Sequence, residues 1–200
     1  MAALSDIALI AQVVTFGSER AFGQLVQAHQ EAVRRFLRRL TGGDEMLADD
    51  LAQETFIRAW QHLSSFRQLS GFETWLLRIA YRVFLDNQRK NKNAPQPLPH
   101  TQESENHSSA DVENYSESAT NPFEEQAGES ETFTLHHDLD LALASLSETE
   151  RTCVVLQCIE GQSIKEIADI TGLPPNTVKS HLLRGKKNLA NYLRKNGYNG

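Results

Sequence analysis

The sequence contains few cysteines and no long apolar segment. Its two cysteines, Cys153 and Cys158, lie five residues apart, a spacing that fits neither a disulfide framework nor a zinc site, so we expect both to be packing residues. Apolar runs such as residues 75–77 and 153–156 are far shorter than the roughly 18 residues that a membrane-spanning helix requires. The N-terminal residues also lack the basic cluster and cleavage site of a secretory signal. These absences predict a cytoplasmic protein without membrane insertion.

Signals for catalysis and for metal binding are missing as well. The histidines show no metal-ligand spacing except the adjacent pair His136 and His137. No phosphate-binding glycine loop and no nucleophile elbow occurs. Asp49 and Asp50 are adjacent, and adjacent side chains on a helix diverge by about 100°, so their carboxylates cannot converge on one substrate. We therefore expect no enzymatic activity, no catalytic residue, no metal and no cofactor.

Basic residues are missing from one long stretch of the chain. Residues 93–137 contain nine of the 26 acidic residues and none of the 20 lysines and arginines. The stretch is rich in Ser, Asn, Glu and Pro and too poor in apolar residues to form a core, which predicts a flexible acidic linker. The net charge of -6 arises there, so it does not exclude nucleic acid as a partner of the remaining residues.

Strand-like alternation of polar and apolar residues is absent too. Apolar residues instead recur at spacings of three and four through residues 21–40, 46–63 and 72–85, which is typical of helices. After the linker, residues 147–150 and 163–166 both have the form of a capping box, and two glycines lie where helices should end. The sequence predicts an all-α protein of two small helical domains, residues 1–92 and 138–200, joined by the flexible acidic linker 93–137.

The C-terminal domain contains a helix-turn-helix pattern. Ala168 is small where a second helix must approach, Gly172 permits the positive φ of the turn, and Val178 fills the angle between the helices. One face of the second helix is apolar, and the opposite face carries hydrogen-bonding and cationic groups suited to base edges and phosphates. That polar face comprises Asn176, Thr177, Ser180, Arg184, Lys187 and Asn191. The alternative interpretation is the solvated face of an ordinary helical bundle.

Two helix faces of the N-terminal domain are also unusual. Around residues 49–60, Leu51, Ala52, Thr55 and Ala59 form the expected buried side. Ile57 and Trp60 project instead among polar residues, which indicates either a protein interface or a wider core. On the helix from Phe72 to about Lys90, an aromatic residue and a row of arginines share one side and suit phosphates and unstacked bases. That row comprises Trp75, Arg78, Arg82 and Arg89, and its alternative interpretation is a solvated surface.

Several segments resemble one family. Residues 49–60, DDLAQETFIRAW, closely resemble the polymerase-binding segment of extracytoplasmic-function (ECF) sigma factors of the sigma-70 family. Residues 72–80 resemble the next segment, and residues 146–151 and 163–189 resemble the family's C-terminal domain, in the expected order. The resemblance implies sigma region 2 in the N-terminal domain and region 4 in the C-terminal domain. The protein would bind bacterial core RNA polymerase and direct it to promoter DNA.

The resemblance also implies three sets of contacts. Core-polymerase binding, to the coiled-coil clamp helices of the largest subunit, is expected at Asp50, Gln53, Phe56, Ile57 and Trp60. The loop from about Ser64 to Phe72 and the helix after it would open the −10 element and capture a flipped base, with DNA contacts at Trp75, Arg78, Arg82, Arg89 and Lys90. Contacts to the −35 element are expected at Thr177, Lys179, Ser180, His181, Leu183, Arg184 and Lys187. In many relatives an Asn stands where this chain has Arg82.

Further partners follow from the same resemblance. An anti-sigma protein would hold the chain inactive, and the acidic linker would thread the RNA path of the polymerase, where its charge imitates nascent RNA. A solubilising tether is the alternative role for the linker. The alternative for the whole chain is a conventional helix-turn-helix transcriptional regulator, which would explain the C-terminal domain but not residues 49–60.

Overall fold

The computed structural model describes residues 2–93 and 138–198, and every described element of regular structure is helical. The predicted linker, apart from its first residue, lies outside the described residues. In the N-terminal domain the elements are α1 (Ala2–Phe16), α2 (Glu19–Leu40), α3 (Glu45–His62), a short 3₁₀ turn (Leu63–Ser65) and α4 (Phe72–Asn93). In the C-terminal domain they are α5 (helical residues 138–144), α6 (Glu148–Cys158), α7 (Ile164–Thr171) and α8 (Pro175–Lys195). The all-α prediction is therefore confirmed.

The N-terminal domain is a bundle in which α2, α3 and α4 bury their apolar stripes against one another. Hydroxyl and carboxylate caps start two of these helices, because Ser18 accepts a hydrogen bond from the backbone of Ala21 and Asp44 accepts one from Leu47. The core contains Leu25, Val33, Phe36, Leu37, Leu76, Leu77 and Phe84, all nearly or fully buried. The three helices predicted from apolar spacing are all present.

Helix α1 was not predicted from the sequence. It packs on α2, where Ile10 and Val13 enter the core and the Asp6 carboxylate lies 3.1 Å from Nε2 of His29, with both side chains buried. Other apolar residues of α1, such as Val14 and Phe16, remain exposed. Apolar residues therefore lie on both sides of α1, so its sequence shows no clear stripe.

The helix-turn-helix lies in α7 and α8. Ser163 and Glu166 form the predicted capping box at the start of α7, and Gly172 ends that helix with a φ of 75°. A capping box was also predicted at the start of α6, and there the prediction is wrong. Ser147 makes no side-chain capping bond, and Glu150 instead extends to α8, because tertiary contacts replace the local cap. Within the described residues, no helix is long and apolar enough to cross a membrane.

Both cysteines were predicted to be packing residues, and only one of them is buried. Cys153 is buried in the core, and burial raises the pKa of its thiol to about 11. Cys158 is exposed, so the prediction that it packs in the core is wrong. A spacing of five residues turns a helix by about 140° and places the second thiol on another side of α6.

The two domains are in contact through both polar groups and apolar packing. Arg35 on α2 donates two hydrogen bonds to the Glu160 carboxylate, from Nε to Oε1 at 3.0 Å and from Nη2 to Oε2 at 2.6 Å. Arg39, one helical turn later, pairs with Asp140 on α5. The Thr74 hydroxyl on α4 donates to the side chain of Gln162 at 2.9 Å. Buried apolar residues of both domains also belong to one continuous cluster, so the interface combines apolar packing with charged and polar contacts.

Candidate protein and nucleic-acid interfaces

The outer face of α3 carries a stripe of polar and apolar residues. Ile57 is 53% exposed and Trp60 is 39% exposed, whereas Leu51, Ala52, Thr55 and Ala59 are buried as predicted. Asp50 and Gln53 are also exposed, and Phe56 is half-buried. The exposure of Ile57 rules out the wider-core interpretation for that residue. An exposed isoleucine beside an exposed tryptophan is typical of a protein interface.

The spacing on α3 extends this stripe by one residue that the sequence reasoning missed. Met46, Asp50, Gln53, Ile57 and Trp60 follow one another at steps of four, three, four and three. This is the heptad spacing with which one helix packs along another. Met46 is 80% exposed, so the stripe runs over most of the length of α3. Heptad counting outward from Ile57 would have identified it.

The stripe is held on a rigid support. Trp60 packs edge to face on Phe22 of α2, with ring centroids 4.9 Å apart. On a neighbouring side of α3, the Arg58 guanidinium binds Glu54 and, on α4, Asp86, each at 2.7 Å. The hydrogen bond to Asp86 is the larger cause of a raised pKa of Arg58, and the hydrogen bond to Glu54 is the second cause. These contacts fix α3 against α2 and α4, so the stripe is presented in one geometry.

A cavity of about 500 Å³ opens beside α4, where a DNA-binding face was predicted. Trp75, Arg78, Ile79 and Arg82 line it together with Asp169 of α7 and residues that precede α4. Those preceding residues, which the sequence reasoning covered only as a loop, are His62, Ser65, Phe66, Arg67, Leu69 and Ser70. Leu69, in the loop before α4, is 88% exposed, and Gln68 beside it has a φ of 57°. A non-glycine residue in that region marks a backbone held by its surroundings.

Aromatic packing orients the wall of this cavity. Trp75 stacks on Phe72 with centroids 5.6 Å apart and lies 5.5 Å from the ring of Phe66. The indole is therefore half-buried and rigid, with one part available to the cavity. A fixed aromatic surface next to two guanidinium groups can stack a base and bind its phosphate.

The predicted α4 residues do not all meet at the cavity. Arg82 is exposed, whereas Arg78 is half-buried and lies 4.0 Å from the Asp169 carboxylate of α7. Arg89 and Lys90 are exposed further along α4, about 10 Å beyond Arg82 for seven residues of helix. The structure thus groups Trp75, Arg78 and Arg82 and leaves Arg89 and Lys90 as an extension of the basic side.

Helix α8 presents the polar face expected of a recognition helix. Val178 and Leu182 are buried against the domain, and Leu189 and Leu193 are half-buried. Of the residues predicted to contact DNA, Lys179, Ser180, Leu183, Arg184 and Lys187 are exposed, and Thr177 and His181 are half-buried. The helix contains six lysines and arginines and no acidic residue. Its outer face is therefore positively charged and open.

Contacts inside the C-terminal domain orient Arg184. Its Nε lies 3.4 Å from the Glu150 carboxylate of α6, and its Nη2 lies 3.2 Å from Nδ1 of His181. A guanidinium has five N–H groups, so at least three remain free to bind a base edge or a phosphate. Gly185 allows this approach of α6 and α8, because a Cβ there would lie 2.8 Å from Cγ2 of Val154.

Comparison with known proteins identifies both domains. The Sigma-70 region 2 family model matches residues 25–94, and the Sigma-70 region 4 model matches residues 136–189. The ECF RNA polymerase sigma-E factor of Haemophilus influenzae is 31% identical over 96% of this chain and 96% of its own length. SigW of Bacillus subtilis, also an ECF RNA polymerase sigma factor, is 31% identical over 89% of this chain and 91% of its own length. SigE of Mycolicibacterium smegmatis is 36% identical, and the chain spans 62% of that protein.

Solved structures share the fold. CnrH, solved in complex with the cytosolic domain of CnrY, is 27% identical, with a TM-score of 0.65 over 96% of this chain and 98% of the solved chain. The sigma factor RpoE, solved with the anti-sigma factor NepR from Bartonella quintana, is 24% identical, with a TM-score of 0.63 over 86% of this chain and 96% of its own.

Proposed function

Because this chain belongs to the extracytoplasmic-function sigma factors of the sigma-70 family, we propose that it binds bacterial core RNA polymerase and directs initiation to specific promoters in the cytoplasm. The observation that carries the proposal is the presence of three unlike surfaces on one chain. These are the stripe on α3, the basic cavity beside α4 and the basic face of α8. In this role residues 1–92 act as region 2, residues 138–200 act as region 4, and no residue is catalytic.

The α3 stripe is the proposed polymerase contact. Its heptad spacing suits a coiled coil, and Ile57 and Trp60 supply apolar area next to the polar residues Asp50 and Gln53. Interfaces commonly derive most of their affinity from a few large anchoring side chains such as Trp60. Phe56, which is half-buried, supports the stripe from its edge.

The cavity beside α4 is the proposed site for the −10 element. Extruding a base costs a few kcal/mol of stacking, which contacts in a pocket must offset. The indole of Trp75 supplies stacking, and Arg78 and Arg82 supply charge for the adjacent phosphates. Arg89 and Lys90 would follow the strand further along the same side of α4.

The outer face of α8 is the proposed reader of the −35 element. Arg184 keeps enough N–H groups for a bidentate contact with guanine, and the exposed Leu183 suits a thymine methyl group. The neighbouring hydroxyl, imidazole and ammonium groups would bind further base edges and phosphates. These are Thr177, Lys179, Ser180, His181 and Lys187.

An anti-sigma protein is the proposed regulatory partner. RpoE, which shares the fold, is solved with an anti-sigma factor, and CnrH is solved with the cytosolic domain of another protein. The exposed apolar groups of α3 offer such a partner contact area.

The proposal is tested by size-exclusion chromatography of the purified protein with bacterial core RNA polymerase, together with its binding to duplex DNA in the absence of polymerase. A sigma factor should co-elute with polymerase and bind duplex DNA weakly by itself. Tight, sequence-specific duplex binding without co-elution would instead identify a conventional helix-turn-helix regulator.

A further inference from the structure

Helix α1 takes no part in the three surfaces proposed above, yet its one charged residue is buried. The Sigma-70 region 2 model begins at residue 25, so α1 lies outside the matched segment. The only charged side chain of α1 is Asp6, and it is 9% exposed. Its carboxylate lies 3.1 Å from Nε2 of His29, whose side chain is 8% exposed. A buried carboxylate is costly unless it is paired, so losing this contact would disturb the packing of α1 on α2.

Apolar packing alone does not fix the position of α1. Ile10 and Val13 enter the core, but Val14 on another side of the helix stays exposed. A helix with apolar residues on several sides has several comparable ways to pack, whereas a buried polar pair selects one register. The bond between Asp6 and His29 is also directional, because an ionised carboxylate only accepts and the imidazole must donate. This bond therefore fixes the register of α1 on α2.

His29 connects the buried pair to the aromatic wall of the cavity beside α4. The imidazole packs edge to face on Phe72, with ring centroids 5.2 Å apart and an angle of 75° between the planes. Phe72 is buried and stacks on Trp75, the indole proposed to hold the unstacked base. Contacts thus lead without a gap from Asp6 to Trp75. Aromatic pairs have preferred geometries, so a change in the orientation of one ring is passed to the next.

A second contact joins α1 to the same cavity. Helix α1 lies against the 3₁₀ turn Leu63–Ser65. Ser65 and the following Phe66 line the cavity. The Phe66 ring lies 5.6 Å from Phe72 and 5.5 Å from Trp75. The indole is therefore supported by two rings, one next to a turn that α1 contacts and one packed on the imidazole that α1 holds.

We infer that Asp6 and His29 are positioning residues for Trp75, so that helix α1 holds the cavity beside α4 in the shape that captures an unstacked base. Both side chains are buried and act through Phe72 without touching DNA. The inference rests on the proposed function of that cavity. Loss of the pair should weaken strand opening at the −10 element and leave polymerase binding unchanged, because α3 is held through other contacts, such as that between Trp60 and Phe22.

The test compares the unsubstituted full-length protein with four variants. Asp6→Ala removes the acceptor, whereas Asp6→Asn keeps one and is the conservative replacement. His29→Gln keeps a donor for Asp6 but removes the ring that packs on Phe72, so it leaves no buried carboxylate unpaired. Val13→Ala is the matched control, because it removes apolar packing of α1 and leaves the polar pair intact.

Two measurements are made on each variant. Fluorotryptophan incorporation gives one fluorine NMR resonance for each of the two tryptophans, Trp60 and Trp75, and Trp60→Phe assigns them. Run-off transcription by core polymerase saturated with the protein measures initiation on a duplex promoter and on the same promoter with mismatched, pre-opened −10 strands. The pre-opened promoter does not depend on base capture for opening, so it separates this step from polymerase binding.

We expect Asp6→Ala and His29→Gln to shift or broaden the Trp75 resonance and to leave the Trp60 resonance unchanged. Initiation on the duplex promoter should fall about two- to tenfold, which is the range that an aromatic contact contributes to an equilibrium. Initiation on the pre-opened promoter should stay unchanged. Asp6→Asn and Val13→Ala should keep the Trp75 resonance and both initiation rates.

An unchanged Trp75 resonance and unchanged duplex initiation in either Asp6→Ala or His29→Gln, with the variant folded by circular dichroism, would overturn the inference. Equal losses in Val13→Ala would also overturn it, because the effect would then follow from stability alone. Failure of the unsubstituted protein to direct initiation on any duplex promoter would instead refute the proposed function. The fluorine resonances would still decide in that case whether α1 positions Trp75.

Discussion

Replacing Ile57 and Trp60, the apolar pair of the α3 stripe, should strongly weaken polymerase binding. Trp60 exposes 39% of its surface, which is about 100 Å² of a large aromatic residue and corresponds to about 2.5 kcal/mol at 25 cal/mol per Å². Ile57 exposes 53%, or about 1 kcal/mol of the value for full burial. The sum of about 3.5 kcal/mol predicts a loss of roughly 300-fold in affinity for Ile57→Ala with Trp60→Ala. Ile57→Glu with Trp60→Ala should lose more, because it also places a carboxylate in the interface.

The assay is the equilibrium affinity of labelled protein for core RNA polymerase by fluorescence anisotropy. Val14→Glu is the matched control, since Val14 is 51% exposed but lies on α1, outside the stripe. Because Trp60 packs on Phe22, thermal unfolding must show that each variant remains folded at the assay temperature. Unchanged affinity in a folded Ile57→Glu, Trp60→Ala variant would refute the assignment of this face.

Three further predictions concern the C-terminal domain. Arg184→Ala should weaken recognition of −35-dependent promoters by about 1–3 kcal/mol, and so lower their transcription, without changing polymerase affinity. Equal loss of transcription and of polymerase binding would indicate misfolding instead. Gly185→Ala should lower stability by about 1–3 kcal/mol, because the new Cβ would lie 2.8 Å from Val154; a thermal unfolding midpoint equal to or above that of the unsubstituted protein would contradict this packing. At pH 8 an alkylating reagent should modify exposed Cys158 and spare buried Cys153, because burial raises the pKa of the Cys153 thiol to about 11 and keeps it protonated. Mass spectrometry that shows Cys153 modified first would count against the buried geometry.

The helices of both domains could be predicted because their patterns are local. Apolar spacing within residues 21–40 predicts α2, and the Ser163 and Glu166 pair predicts the start of α7, since each signal lies within a few residues of the structure it specifies. The exposed side of α3 was predictable for the same reason, because helical spacing alone separates Ile57 from the buried Thr55.

Other features depend on contacts that a local pattern cannot reveal. Glu150 has the sequence position of a cap but extends to Arg184, because the two helices approach at Gly185. Arg35 and Glu160 are 125 residues apart, and nothing near either residue indicates its partner. The cavity beside α4 likewise needs Leu69 and Arg67 from a loop whose path is set by aromatic packing. Tertiary structure thus decides these roles after the helices are fixed.

Promoter selection can be measured by transcription from a randomised promoter library with core RNA polymerase supplemented with this protein, with start sites mapped by sequencing. We expect discrete start sites preceded by two shared elements, near positions −10 and −35, and altered preference at the upstream element for the Arg184→Ala variant. Initiation that is no more specific than that of core polymerase alone would show that this chain does not select promoters.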